Sequence, residues 1–169
     1  GQTSVLAPTA DGTVQTGDEP LILDFSNAGQ GYFMGKLTQP DTKINIQITG
    51  PDNVCYKYFL TEADSWTAFP ITAGNGTYLV LAYQEISDGQ YASLFSYSLN
   101  VTLDSEFYPF LYPNQYVNFT SDSKAISLAA SLTKDAAEDL DALDAIYQYV
   151  TTHITYDSDK AATVGTGYL

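Results

Sequence analysis

The chain has 169 residues, of which 44% are hydrophobic and 14% aromatic, enough to build a packed core and far from the composition of a disordered segment. Six basic against twenty acidic side chains give a formal charge of −14, which repels phosphate backbones and argues against nucleic acid as a partner. No apolar run approaches the roughly 20 residues needed to span a bilayer, so membrane insertion is not expected.

The opening Gly1-Gln2-Thr3-Ser4 has no initiator Met, no basic region and no apolar stretch. With the abundance of Thr, Ser, Tyr and Asn, this predicts an extracellular or cell-surface protein whose signal sequence has been removed. The single cysteine, Cys55, allows no intramolecular disulfide and leaves the redox compartment open.

Period-two alternation punctuated by turn residues runs from Leu21 to Leu103. Leu21 to Phe25 is a first strand, closed by Ser26-Asn27-Ala28-Gly29, and Gly31 to Leu37 is a second. Lys43 to Thr49 alternates without a fault, so Ile44, Ile46 and Ile48 are expected on a buried face and the polar residues between them in water. Gly50-Pro51-Asp52-Asn53 is turn chemistry and makes a hairpin with Val54 to Leu60. A looser stretch around Trp66 follows. Thr77 to Tyr83 and Tyr91 to Leu103 form a further pair, the last with Leu94, Ser96 and Ser98 on one face and Phe95, Tyr97, Leu99, Val101 and Leu103 on the other. About seven strands of this kind predict an antiparallel β-sandwich, immunoglobulin-like or related, over residues 1–104. The Cys and Trp pairing of true immunoglobulin domains is absent.

Residues 105–121, with Tyr108-Pro109 and Tyr112-Pro113, read as an extended connector packed against something. From there the period changes to helical. A helix is expected over about 122–133, with an N-cap offered by Ser121-Asp122-Ser123, and a second over about 137–154, started by Asp135 and Glu138. Leu140, Leu143, Ile146, Tyr147, Val150 and Ile154 form one apolar stripe on the second helix, which needs a partner surface. The small residues of the first helix are not expected to supply enough of it.

The segment from Ile146 to Asp157 resembles the helix before the active site of bacterial transglutaminase-like proteins, of the papain-related thiol superfamily. Ile146, Tyr149-Val150 and Ile154-x-Tyr156-Asp157 carry the match. The resemblance implies that 122–169 is the incomplete helical start of a transglutaminase-like core, truncated before the catalytic Cys, with the sandwich as an accessory domain. It further implies a secreted or surface parent protein of bacteria that performs Cys-dependent acyl transfer or peptide hydrolysis on a protein or peptide substrate. The six matched positions are expected to be structural, Tyr156 packing the helix exit and Asp157 bonding turn backbone.

No catalytic residue, cofactor or metal ligand is expected within the chain. Cys55 lies mid-strand without the His partner or helix N-terminus that activates a thiol, and His153 suits the dipole at a helix end. Asp157-x-Asp159 could open a calcium loop, but Ala161 and Ala162 stand where Asp or Asn and Gly are needed. Gly165-Thr166-Gly167 is too short to cradle a phosphate. Asn75, Asn100 and Asn118 begin glycan acceptor triplets. Fourteen tyrosines and Trp66 raise a rival reading, a carbohydrate- or protein-binding module with cell-wall components among its partners, which would require clustered exposed aromatics. A plain structural spacer is a third reading.

Overall fold

The computed structural model describes residues 4–164. Among these described residues, eight strands form two four-stranded antiparallel sheets. The first sheet has the order β1 (Gln15–Asp18), β2 (Leu21–Asp24), β3 (Tyr32–Leu37), β6 (Trp66–Pro70). The second has the order β5 (Cys55–Leu60), β4 (Ile44–Thr49), β7 (Gly76–Ser87), β8 (Gln90–Val101). Three helices follow among the described residues, α1 (Lys124–Leu132), α2 (Asp139–His153) and α3 (Ser158–Thr163). Residues 6–118 make one compact unit, and the described residues from Phe119 onward belong to another.

Alternation explains the core of the first unit. Leu21, Leu23, Phe33 and Phe69 from one sheet meet Ile44, Ile46, Ile48, Val80 and Ala82 from the other in a single buried cluster. Aromatic pairs bridge the sheets: Phe25 stacks on Tyr97 at 4.6 Å, and Tyr58 stands edge-on to Phe69 at 5.4 Å. Phe69 also stacks on Phe33 at 5.1 Å, so it sits at the junction of three rings.

Four local expectations need correction. The looser stretch around Trp66 is strand β6, paired with β3. Its Ala68 and Phe69 are buried on opposite faces, Phe69 in the main core and Ala68 beside Tyr32, Met34 and Tyr112, so the period-two signal disappears. Strand β1 was not anticipated because Gln15-Thr16-Gly17-Asp18 has no apolar alternation, and its strand character comes from pairing with β2. Asn45 is buried, not in water. Finally, Leu94 and Phe95 both pack against the core, because the register slips between Ala82 and Tyr83 and leaves Leu94 as the extra residue of a bulge.

The connector does pack, onto the sandwich itself. Pro109 is buried against Gly31, whose φ is +85° and whose missing Cβ would stand 2.6 Å from the Pro109 Cα, so only glycine fits there. Tyr112 lies against Tyr32 with ring centroids 4.5 Å apart. The Gln115 amide then donates to the Phe59 carbonyl and accepts from the Phe59 N–H, and the Tyr116 hydroxyl donates to the Lys57 carbonyl at 2.6 Å. Two side chains thereby satisfy outward backbone groups of β5, an edge strand.

In the helical unit, α2 starts later than its acids suggested. Asp135 lies in the preceding turn, Glu138 is the extended N-cap residue, and the Asp141 carboxylate accepts from the Glu138 N–H at 3.2 Å. α1 and α2 pack on each other. The partly covered positions of α2 are Ala142, Ala145 and Tyr149, and those of α1 include Ile126, Ala129 and Leu132. The apolar stripe points elsewhere: Leu140 is 74% exposed, and Leu143, Tyr147, Val150 and Ile154 are exposed too. The alanine side allows close helix approach, which leaves the larger side chains outward.

Candidate functional site

Across the second sheet, Asn45 of β4 stands opposite Phe59 of β5 and Tyr83 of β7, and Gln47 opposite Lys57 and Leu81. Further along, Glu85 of β7 stands opposite Tyr91 of β8. Side chains alternate along a strand, so these residues share the face opposite Ile44, Ile46 and Ile48. Asn45, Gln47, Lys57, Phe59, Tyr83 and Tyr91 line an open concavity of about 420 Å³. Phe59 is 42% exposed and Tyr91 37%, large rings left open to solvent on a strand face.

The polar groups at the centre are held in place. The Gln47 amide donates to the Asn45 Oδ1 at 2.9 Å, and the Asn45 Nδ2 donates to the Tyr58 carbonyl at 3.4 Å. β4 is an inner strand, so flanking side chains of β5 and β7 cover Asn45, and its amide is oriented by bonds within the sheet. Lys43 closes the rim. Its Nζ lies 5.2 Å from the Phe59 ring centroid, 6.0 Å from that of Tyr91 and 3.6 Å from Glu85 Oε2. The Tyr91 phenol, and after it Glu85, hold the Lys43 ammonium above its ordinary pKa. Lys57 makes no ion pair among the described residues.

Oriented amides offer both donors and acceptors to hydroxyl groups, and the rings offer flat apolar surface beside them. The arrangement is suited to holding a polyhydroxylated ligand with an apolar face. It contains no nucleophile paired with a base.

The residues singled out in the sequence lie elsewhere. Cys55 is exposed on β5, its Sγ 4.0 Å from the neighbouring Tyr56 carbonyl. His153 ends α2, stacked on Tyr149 at 4.4 Å, with Nδ1 2.8 Å from the Thr152 hydroxyl. Ile146, Val150 and Ile154 are exposed, and Tyr149 is half-buried. Tyr156 is 82% exposed and does not pack the helix exit. Asp157 accepts from the Lys160 N–H at 2.9 Å and caps α3. That short helix, which the sequence reading missed, occupies the place of the weighed calcium loop, and no metal-holding group of His, Cys, Asp and Glu occurs among the described residues. Gly165-Thr166-Gly167 lies outside the described residues. Of the glycan acceptors, Asn75 accepts from the Leu103 N–H and Asn100 accepts from the Thr77 hydroxyl, while Asn118 is exposed.

The face itself went unread in the sequence. One signal was present: Phe59 falls on the outward phase of β5, and the outward positions of β4 next to it are amides. No protein-family model, curated protein or solved structure matches the chain.

Proposed function

We propose that the chain is a non-catalytic binding module whose second sheet takes a carbohydrate on its outer face, with cell-wall glycans the natural class for a protein outside the cell. The observation that carries this reading is the group of Phe59, Tyr83 and Tyr91 around the oriented Asn45 and Gln47 amides. Rings stack on the C–H faces of a sugar, and the Gln47 amide, oriented by the buried Asn45, bonds its hydroxyls together with Lys57. The test is a glycan array that includes neutral glucans, chitin oligomers and muropeptides, followed by titration of the bound probe. Phe59→Ala and Tyr91→Ala are expected to weaken binding about tenfold each, the equivalent of about 1.4 kcal/mol, with the unfolding midpoint little changed. An array on which nothing binds, or binding indifferent to both substitutions, sinks the proposal.

A second reading is favoured by the exposed stripe of α2. On it the sandwich is an immunoglobulin-like accessory domain, and the helices open a transglutaminase-like core, the stripe being covered by the remainder of that core. The chain by itself is then inactive, since acyl transfer needs a thiolate, a His to activate it and a group to orient that His. Amine-incorporation and peptide-hydrolysis assays are expected to give no turnover. Thiol-dependent turnover abolished by Cys55→Ala would overturn this.

A further inference from the structure

Of the four sheet edges among the described residues, three are short or sealed. β1 has four residues, β6 has five, and β5 is closed by Gln115 and Tyr116. β8 is different: it has twelve residues, is paired only with β7, and its outer row of N–H and C=O groups has no partner among the described residues. Exposed edges are ordinarily blunted by Lys, Pro or inward charge. The β8 sequence, Gln90-Tyr-Ala-Ser-Leu-Phe-Ser-Tyr-Ser-Leu-Asn-Val101, has no charge and no proline. Beyond the bulge at Leu94 the register is regular from Phe95 opposite Ala82 to Val101 opposite Gly76, so the edge offers an uninterrupted row of backbone groups there.

Beside this edge lies a groove of about 340 Å³, with Leu94 to Tyr97 on one side and Thr16 to Leu21, the β1–β2 turn, on the other. Its far wall carries Asp18 and Glu19, both exposed. Asp18 accepts from the Glu19 N–H, Glu19 accepts from the Gln39 amide, and neither has a cation paired to it among the described residues.

We propose that the β8 edge and this acidic groove form a docking site for an extended, basic peptide segment, which adds as a fifth strand to the second sheet and places a Lys or Arg against Asp18 and Glu19. Backbone bonds to β8 hold the strand, and the groove selects its charge. A second copy of this chain is the poorer occupant, because pairing two β8 edges adds another formal charge of −14 and brings a second Asp18 and Glu19 to the same interface.

The probe is a random octapeptide library displayed on phage and panned against the intact chain at low salt. Enriched peptides are expected to share a Lys or Arg, to perturb the backbone amide resonances of Leu94 to Ser98, and to bind at least fivefold more weakly to Asp18→Asn/Glu19→Gln. They are also expected to weaken when alternate peptide amides are N-methylated, and to be indifferent to Phe59→Ala. Failure to enrich any peptide, enrichment of acidic peptides, perturbation elsewhere than β8, or a self-associated dimer through β8 would each overturn the proposal. The Asp18 and Glu19 substitutions lie on the surface, and an unchanged unfolding midpoint checks that the variant is folded.

Discussion

Phe69→Ala is expected to lower the free energy of unfolding by about 3–5 kcal/mol, the usual cost of truncating a fully buried phenylalanine. The ring is wholly buried, stacked on Phe33 and edge-on to Tyr58, so it touches both sheets at once. Its neighbourhood is already tight. A Cβ added at Gly35 would stand 2.7 Å from the Phe69 Cε2, which shows that the β3 backbone closes directly over the ring. β3 beside it and the strands of the facing sheet are fixed by their ladders and cannot collapse into the space, so most of the cavity cost remains. Urea unfolding followed by intrinsic fluorescence measures it. The midpoint should fall with the slope unchanged, and a loss below about 1 kcal/mol would mean that the core is not centred here.

Asp24→Asn is expected to cost about 1.5–3 kcal/mol near neutral pH, the range for hydrogen bonds made to a charged group. This carboxylate is almost completely buried at the end of β2. It accepts from the Gly12 N–H at 2.7 Å, the Ser26 N–H at 2.9 Å and the Gln15 amide at 3.1 Å, and so pins the chain before β1 to the end of β2. Burial pushes its pKa up, but the bonds from Ser26, Gln15 and Gly12 together outweigh that and hold it below the ordinary carboxylate value. The folded pKa is therefore lower than the unfolded value of about 3.9. The stabilisation is fully present above about pH 4 and is lost as the pH falls through the folded pKa. Unfolding curves at pH 7 and in steps below pH 4 should show the gap between the natural chain and Asp24→Asn closing as the pH falls. A gap that stays constant or widens would show that the ionised carboxylate is not the stabilising species.

The two substitutions differ in their expected effect on the candidate face. Asn45 and Gln47 share β4 with Ile44, Ile46 and Ile48, so the amides are held only as firmly as the core beneath them. Loosening the core at Phe69 is expected to blur the binding face before it unfolds the chain. Asp24 lies on the other sheet and should leave ligand affinity unchanged while the protein remains folded.

The local periodicities were legible without any structure. Ile44, Ile46 and Ile48 alternate because one sheet face is buried, the two long hairpins are marked by Gly50-Pro51-Asp52-Asn53 and Ser87-Asp88-Gly89, and α2 carries its period in the spacing of leucines. Each of these signals lies within a few residues of itself along the chain. The tertiary structure alone decided the rest. β1 is a strand because β2 lies beside it, and β6 became one by pairing with β3 some thirty residues earlier. The candidate face joins positions from Asn45 to Tyr91 on four strands, and the β8 groove joins Asp18 to Tyr97. Which face of α2 meets α1 was decided by how closely the alanines let the helices approach, which leaves the larger side chains of the stripe outward. Pattern reports what each segment prefers over a turn or a pleat, whereas edges, faces and grooves exist only once distant segments have been brought together.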